Sequence, residues 1–366
     1  MQQSDKNKFH IAIIGSQASI HVVRWANALV EKGYRITVIT MHSGVQPFNA
    51  DVDIVKLPFK NPFGYVLNIP VVKKIVQELA PDIVHGFYAL GYGFLARHSS
   101  YRPILLSVMG SDVYDDIENK FLKRIVIKNI EKADVVCSTS YIMRKKIDSL
   151  FPNPREVKVT PFGVDTDVFS PRGTVEFDDE YNFVFGTVKG LKPKYGVDIL
   201  IRSFSKFCKK YPDKKFKLII AGDGFELQKL KKLTLNLGLE RECDFVGNKF
   251  HHEIPDLLRK FNVFVALSRL DSESFGVAIV EAMSVELPVI VSDAGGLKEV
   301  VENGVTGLVV PKNSVHEAFN AMVTIFENQD LGKKLGENAR KKVLKDYHWS
   351  DSVFKMESVY KELLSN

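Results

Sequence analysis

Residues 9–40 read FHIAIIGSQASIHVVRWANALVEKGYRITVIT. The run Phe9-His10-Ile11-Ala12-Ile13-Ile14-Gly15 is nearly continuous in apolar side chains and stops at a glycine, the pattern of a strand buried on both faces of a parallel sheet. Ile20, Val23, Ala26, Asn27, Leu29 and Val30 then recur at helical spacing, and Gly33 closes the helix. Arg35–Thr40 is a second strand. Strand, helix and strand in this order form one βαβ unit.

The same alternation continues outward. Apolar strands are expected at Asp82–His85, Ile104–Val108, Asp134–Ser138 and Val157–Thr160, with helices between. Thr160–Pro171 has neither period and holds two prolines and a glycine, so it reads as a linker. Strands resume at Phe183–Thr187, Phe216–Ala221, Asp244–Val246, Val263–Ala266 and Pro288–Val291, and helices at Val197–Lys210 and Phe225–Leu237. The expectation is an α/β chain of two doubly wound domains, residues 1–165 and 171–346, followed by an amphipathic helix from Trp349 to Leu364. Such sheets bind ligands beyond the C-terminal ends of their strands. Two of these edges facing one another would make a central cleft.

Composition fits this reading. The chain has 366 residues, enough for two cores, with 45% hydrophobic and 26% charged residues, as in a folded globular protein. No apolar run approaches the length of a bilayer. The run Ile11–Ser16 that follows the N-terminal residues reads as a buried strand and not a signal peptide, so a cytoplasmic location is expected. Cys137, Cys208 and Cys243 are odd in number and widely spaced, against a disulfide scaffold or a zinc site. The net charge of +6 lies wholly before residue 166, where 21 Lys and Arg face 15 Asp and Glu; the remainder balances at 29 each. An anionic partner is expected for the first half.

The richest segment in chemistry is Ser268-Arg269-Leu270-Asp271-Ser272-Glu273-Ser274-Phe275-Gly276-Val277-Ala278-Ile279-Val280-Glu281-Ala282. It follows a strand and turns helical from Gly276. The unpaired amides of Phe275, Gly276 and Val277 would point out of the helix start, ready for an anion. Glu273 and Glu281, with seven residues between them, would flank a bound diphosphate, one near sugar hydroxyls and the other near a ribose.

This E-x7-E spacing around Ser274-Phe275-Gly276 resembles the retaining glycosyltransferases of family 4, the glycosyl transferases group 1, which have the GT-B fold of two Rossmann-like domains. Further segments resemble that family in order: Ser19–Ala26, Pro81–His85, Gly110-Ser111-Asp112, Pro161–Asp165, Gly186–Leu191 with Lys194-Tyr195-Gly196, Ala221–Gly224, Phe245–Gly247, Asp293–Gly296 and Asn303–Gly307. The resemblance implies transfer of a sugar from a nucleotide-diphosphate sugar, UDP- favoured over GDP-, to an acceptor held by the N-terminal domain. It implies catalytic roles for Glu273 and for the basic pair Lys189 and Lys194 on the donor phosphates. Donor contacts are implied at Gly15, Gly222, Ser274, Phe275, Gly276, Val277 and Glu281. Met109 stands where many members carry a His, which leaves Asp112 or His85 to stand near the reaction. The final helix is expected to dock back on the N-terminal domain.

The nucleotide sugar is a substrate, and no cofactor and no metal are expected. Asp51-Val52-Asp53 and Asp165-Thr166-Asp167 match the DxD pattern only formally, and His251-His252 lack a partner at ligand spacing. Gly15-Ser16-Gln17-Ala18-Ser19 does not match the dinucleotide fingerprint, against a dehydrogenase. Lys120–Lys132 is both basic and apolar, and Lys56–Phe63 with Lys73-Lys74 extends the patch. An anionic membrane surface and a polyprenyl-diphosphate-linked or other lipid acceptor are therefore preferred. No nucleic-acid-binding module is apparent. The alternatives are a nucleotide-sugar epimerase of the same fold and a transferase acting on a soluble acceptor.

Overall fold

The computed structural model describes residues 9–44, 47–61, 63–153, 155–171, 181 and 183–365. The expected two parallel sheets are present. They belong to two compact units, one running to Pro161 and resuming at Ser352, the other spanning Phe162–Asp351.

Unit 1 carries β1 (His10–Ile14), β2 (Arg35–Thr40), β3 (Val52–Lys56), β4 (Ile83–Phe87), β5 (Ile104–Ser107), β6 (Val135–Ser138) and β7 (Val157–Val159). Their order across the sheet is β3-β2-β1-β4-β5-β6-β7, all parallel. Chain order reverses direction between β1 and β4, so the ligand-binding crevice of this sheet opens beyond Gly15 and Phe87. Ile11, Ile13 and Ile14 are wholly buried, each stabilising the unit by about 1.5–3 kcal/mol.

The helix Trp349–Ser365 belongs to this unit from Ser352 onward. Val353, Met356, Val359 and Tyr360 are buried. The Tyr360 hydroxyl lies 2.7 Å from His85 Nδ1, and His85 Nε2 lies 2.8 Å from Ser107 Oγ. Tyr34 donates to Glu357 at 3.0 Å, and Lys158 to Glu362 at 2.8 Å. Burial holds the His85 imidazole down at about 3, so the native state keeps it neutral where the unfolded chain, near 6.5, takes a proton. Stability contributed by neutral His85 is therefore present above pH 6.5 and is lost as pH falls toward 3. The stability difference between the wild type and His85→Gln should shrink by about 1.4 kcal/mol per pH unit across that window. Urea titrations of both proteins at several pH values check this; a pH-independent difference would refute it.

Unit 2 carries β8 (Phe183–Val188), β9 (Phe216–Ala221), β10 (Cys243–Gly247), β11 (Val263–Ala266), β12 (Val289–Ser292) and β13 (Leu308–Val310). The parallel order is β10-β9-β8-β11-β12-β13, with the switch between β8 and β11. Val197–Lys210 is a helix with an apolar face on this sheet. Its Phe207 meets Phe185, Phe216 and Phe326 edge-on at 4.7–5.3 Å, an arrangement that adds directional packing to area burial.

The aperiodic stretch after Thr160 is built into unit 2. Val164 bridges to His348, Phe169 is 1% exposed, and its carbonyl accepts from Ser284 Oγ at 2.5 Å. Arg259 donates to the Val168 and Ser170 carbonyls, both at 3.0 Å. Side-chain donors thus satisfy a backbone that no strand pairs.

Candidate active site

Lys189 follows β8 and Glu273 lies in the loop after β11, so the switch of the second sheet brings together residues 84 positions apart. Lys189 Nζ donates to Glu273 Oε2 at 2.9 Å, and Ser268 Oγ donates to the same oxygen at 3.2 Å. The two side chains are only 9% and 13% exposed. The Lys189 amide bonds the Ala221 carbonyl at 3.0 Å, and that of Leu191 bonds Asp223 at 2.9 Å. Gly222 closes this tie with φ +134°, and a Cβ there would stand 1.9 Å from the Lys189 carbonyl oxygen. No side chain fits, so Gly222 supports the basic loop from behind.

Lys194 lies in the short turn Pro193–Tyr195. Its ammonium is 5.4 Å from the Tyr195 ring centroid, and that of Lys189 is 5.1 Å from the same ring. Tyr195 is the aromatic platform shared by both cations.

The helix Val277–Ser284 begins after Gly276, whose φ of +85° ends the loop. The amides of Ile279 and Val280 both turn back to the Gly276 carbonyl. The amides before them face out of the first turn with the positive end of the helix dipole. Ser274 and Phe275 are buried. The Phe275 ring packs edge-on against Tyr347 at 5.3 Å and Phe162 at 6.0 Å. Phe275 therefore anchors the loop in the core and leaves its backbone for any ligand. Glu281, 5% exposed, holds His251 Nε2 at 2.9 Å from its Oε1. His251 rests in turn on the Phe169 ring at 5.3 Å. Sequence reading set His251 aside as a metal ligand and missed this pairing; no local pattern announces a contact between a β10 loop and a helix 30 residues later.

Three expected residues fall in unit 1. His85 is 0% exposed and bonded through both ring nitrogens, so it holds the last helix. Asp112 is also fully buried. It accepts the amides of Ala89 at 2.6 Å, Gly110 at 2.8 Å and Met109 at 3.1 Å. Burial pushes its carboxyl up to about 6 while those amides pull the other way. Asp112 thus shapes the Met109–Gly110 turn, and neither it nor His85 has a face open to solvent. Gly15 packs beneath the first helix, where a Cβ would meet Val22 Cγ2 at 3.0 Å. Its lack of a side chain has a packing reason of its own. Among the described residues no group of three or more His, Cys, Asp or Glu is placed to hold a metal.

Residues 174–342 match the family model described as glycosyl transferases group 1, and residues 10–140 match the one described as glycosyl transferase 4-like. The chain is 30% identical over 307 residues to an uncharacterized glycosyltransferase of Methanocaldococcus jannaschii, spanning 82% of this chain and 81% of that one. It is 24% identical over 301 residues to the N-acetyl-alpha-D-glucosaminyl L-malate synthase of Bacillus anthracis, over 80% and 77% of the two chains. Among solved structures, Anabaena HepE in complex with UDP-glucose has a TM-score of 0.80 at 20% identity, over 97% of this chain and 100% of that one.

Proposed function

The chain belongs to the glycosyl transferases group 1 family and is a glycosyltransferase, and from that premise we propose that it performs a retaining transfer from a UDP-sugar, with donor bound by unit 2 and acceptor by unit 1. The bond between the anomeric carbon and the β-phosphate oxygen breaks, its electron pair leaving with the phosphate. The acceptor hydroxyl oxygen bonds the same face of that carbon, and its proton passes to the departing phosphate. The products are a glycoside with the donor's anomeric configuration and UDP. Charge grows on the diphosphate in this step, and preorganised cations beside it lower the barrier.

One observation carries the reading: Lys189 and Lys194 share the Tyr195 platform at the switch of the second sheet, with Glu273 in contact with Lys189. The helix start at Val277 lies on the same segment, and Glu281 sits one turn inside it. HepE, similar in fold, was solved with UDP-glucose, which supports the choice of UDP. No metal takes part in this reading.

The acceptor is lipid-linked and met at an anionic membrane surface. Phe121 is 68% exposed among the exposed Lys120, Lys123 and Arg124, and Phe63 and Val66 are 72% and 61% exposed. Apolar side chains ringed by cations suit the headgroup region. No helix among the described residues is long and apolar enough to cross a membrane. Reversing Lys123 and Arg124 to Glu should weaken binding to phosphatidylserine vesicles by at least about tenfold, at about 1 kcal/mol per lost cation. Equal flotation of both proteins would remove the membrane from the proposal.

The donor is tested by thermal midpoints with UDP-, GDP- and ADP-sugars, in EDTA throughout. A ligand of the native state raises the midpoint by mass action. UDP-sugars should raise it in the wild type and not in Glu281→Ala. A shift that appears only when a divalent metal replaces the EDTA, a shift with another base alone, or none at millimolar concentration each counts against a corresponding part of the reading. The product's anomeric proton coupling then decides retention.

A further inference from the structure

Unit 1 holds a cavity of about 160 Å³ lined by residues of that unit alone. It opens where β1, β2, β4 and β5 end, which is the switch of the first sheet. We propose that it receives the accepting end of the acceptor, and that this end is a single uncharged ring bearing several hydroxyls, a sugar or cyclitol unit. The proposal rests on the transferase reading above and names the substrate class of its second site.

Size sets the first limit. The cavity is well below the ~300–1,000 Å³ of sites for drug-sized ligands, and equals the share of about five waters. It admits one ring and excludes a lipid chain with its diphosphate, which must remain outside.

Chemistry sets the second. The polar lining is Ser16, Ser19, His42, Tyr65, Tyr88 and Tyr92, and the rest is Val22, Phe87 and Met109. These described lining residues include no carboxylate, lysine or arginine. Lys56 adjoins the His42 wall, but its ammonium is directed to the His42 carbonyl at 3.1 Å and to the Gln17 side-chain oxygen. Burial, and then Lys56, hold His42 below its ordinary value, so this wall is uncharged at neutral pH. A phosphate or carboxylate entering here would lose its hydration without meeting a cation. Hydroxyls would meet the hydroxyls of Ser16, Ser19 and Tyr65, each able to donate and accept, while His42 is held as a neutral wall by Tyr92 on Nδ1 and by Asn61 on Nε2 at 2.9 Å.

Rigidity supplies the third argument. The Tyr92 hydroxyl joins Thr40 Oγ1 at 3.2 Å, the Met41 amide at 3.2 Å and His42 Nδ1 at 2.5 Å. Tyr65 and His42 each pack edge-on against the Tyr92 ring, with centroids 5.6 Å apart in both pairs. Tyr88 is fixed by donating to Asp116 at 2.6 Å. Aromatic walls held in this way offer their negative faces to the C–H edges of a ring at little entropic cost.

The test uses the full chain with whichever nucleotide sugar raises its midpoint. Donor consumption is followed with methyl glycosides, N-acetylglucosamine and myo-inositol on one side, and with malate, glucuronate and glucose 6-phosphate on the other. One or more of the neutral rings should accelerate consumption saturably, by about tenfold or more at matched concentration, and form a glycoside. Met109→Trp, which fills the cavity, should abolish that acceleration, and Tyr65→Ala should raise the half-saturating concentration; circular dichroism confirms that both fold. Acceleration by the charged compounds in place of the neutral ones overturns the proposal. So does acceleration by neither class while the donor binds, or acceleration undiminished in a folded Met109→Trp. If no nucleotide sugar binds, the transferase reading falls by itself. The ring is then decided by whether the neutral compounds alone raise the wild-type midpoint and fail to raise that of Met109→Trp.

Discussion

Lys189→Ala lowers kcat for sugar transfer by about 10²–10³-fold, the usual loss when one preorganised donor to a developing anion is removed. The argument starts from position. The Lys189 side chain is 9% exposed, and its ammonium is held between Glu273 Oε2 at 2.9 Å and the Tyr195 ring. Its loop is tied to β9 through the Lys189 amide, so it reorganises little as charge moves onto the diphosphate. An interaction that strengthens only as charge develops appears in kcat, whereas one equally strong in the ground state appears in KM. A variant with unchanged kcat and raised KM would make Lys189 a binding residue and nothing more. Stability falls by roughly 1–3 kcal/mol because Glu273 loses a partner in a mostly buried place, yet it keeps the Ser268 hydroxyl. Lys194→Ala lowers kcat in the same direction, since its ammonium stands over the same Tyr195 ring. The double variant loses less than the sum of the two, because both ammoniums act on one ring and one substrate group. Single-turnover rates of the four proteins decide this.

The fold was legible because its signal is local. Val197–Lys210, Phe216–Ala221 and Val263–Ala266 carry their period within one element, and the structure has them with those limits. Leu308–Val310, three residues long, escapes. The switch-point chemistry was half legible. The segment from Ser268 to Ala282 stood out by its spacing. What escaped was long-range. His251 meets Glu281, Tyr92 meets His42 50 residues away, and His85 meets Tyr360 at a separation of 275. A histidine at the end of an apolar strand looks the same in sequence whether it faces a substrate or a helix that returns from the far end of the chain. Tyr195 is a further case: its part is visible only once both lysines are seen over its ring.

That returning helix carries the largest stability effect. Tyr360→Ala destabilises unit 1 by about 3–5 kcal/mol, the cost of deleting a fully enclosed aromatic side chain. Tyr360 is 0% exposed, its ring lies 5.7 Å from that of His85 and 6.4 Å from that of Tyr34, and its hydroxyl joins His85. Truncation opens a cavity and leaves His85 Nδ1 buried without its partner. Tyr360→Phe isolates the second term and costs about 1–3 kcal/mol. The two units need not unfold together, so one global midpoint would blur the effect. The two tryptophans separate them: Trp25 lies in unit 1 and Trp349 in unit 2. With Trp349→Phe as background, the remaining fluorescence reports unit 1 through Trp25, which is 2% exposed. The Tyr360→Ala midpoint in urea should fall sharply in that background and much less when Trp25→Phe leaves Trp349 as reporter. Equal shifts from both reporters would mean that the units unfold as one cooperative block, with the last helix stabilising the whole chain and not the first unit alone.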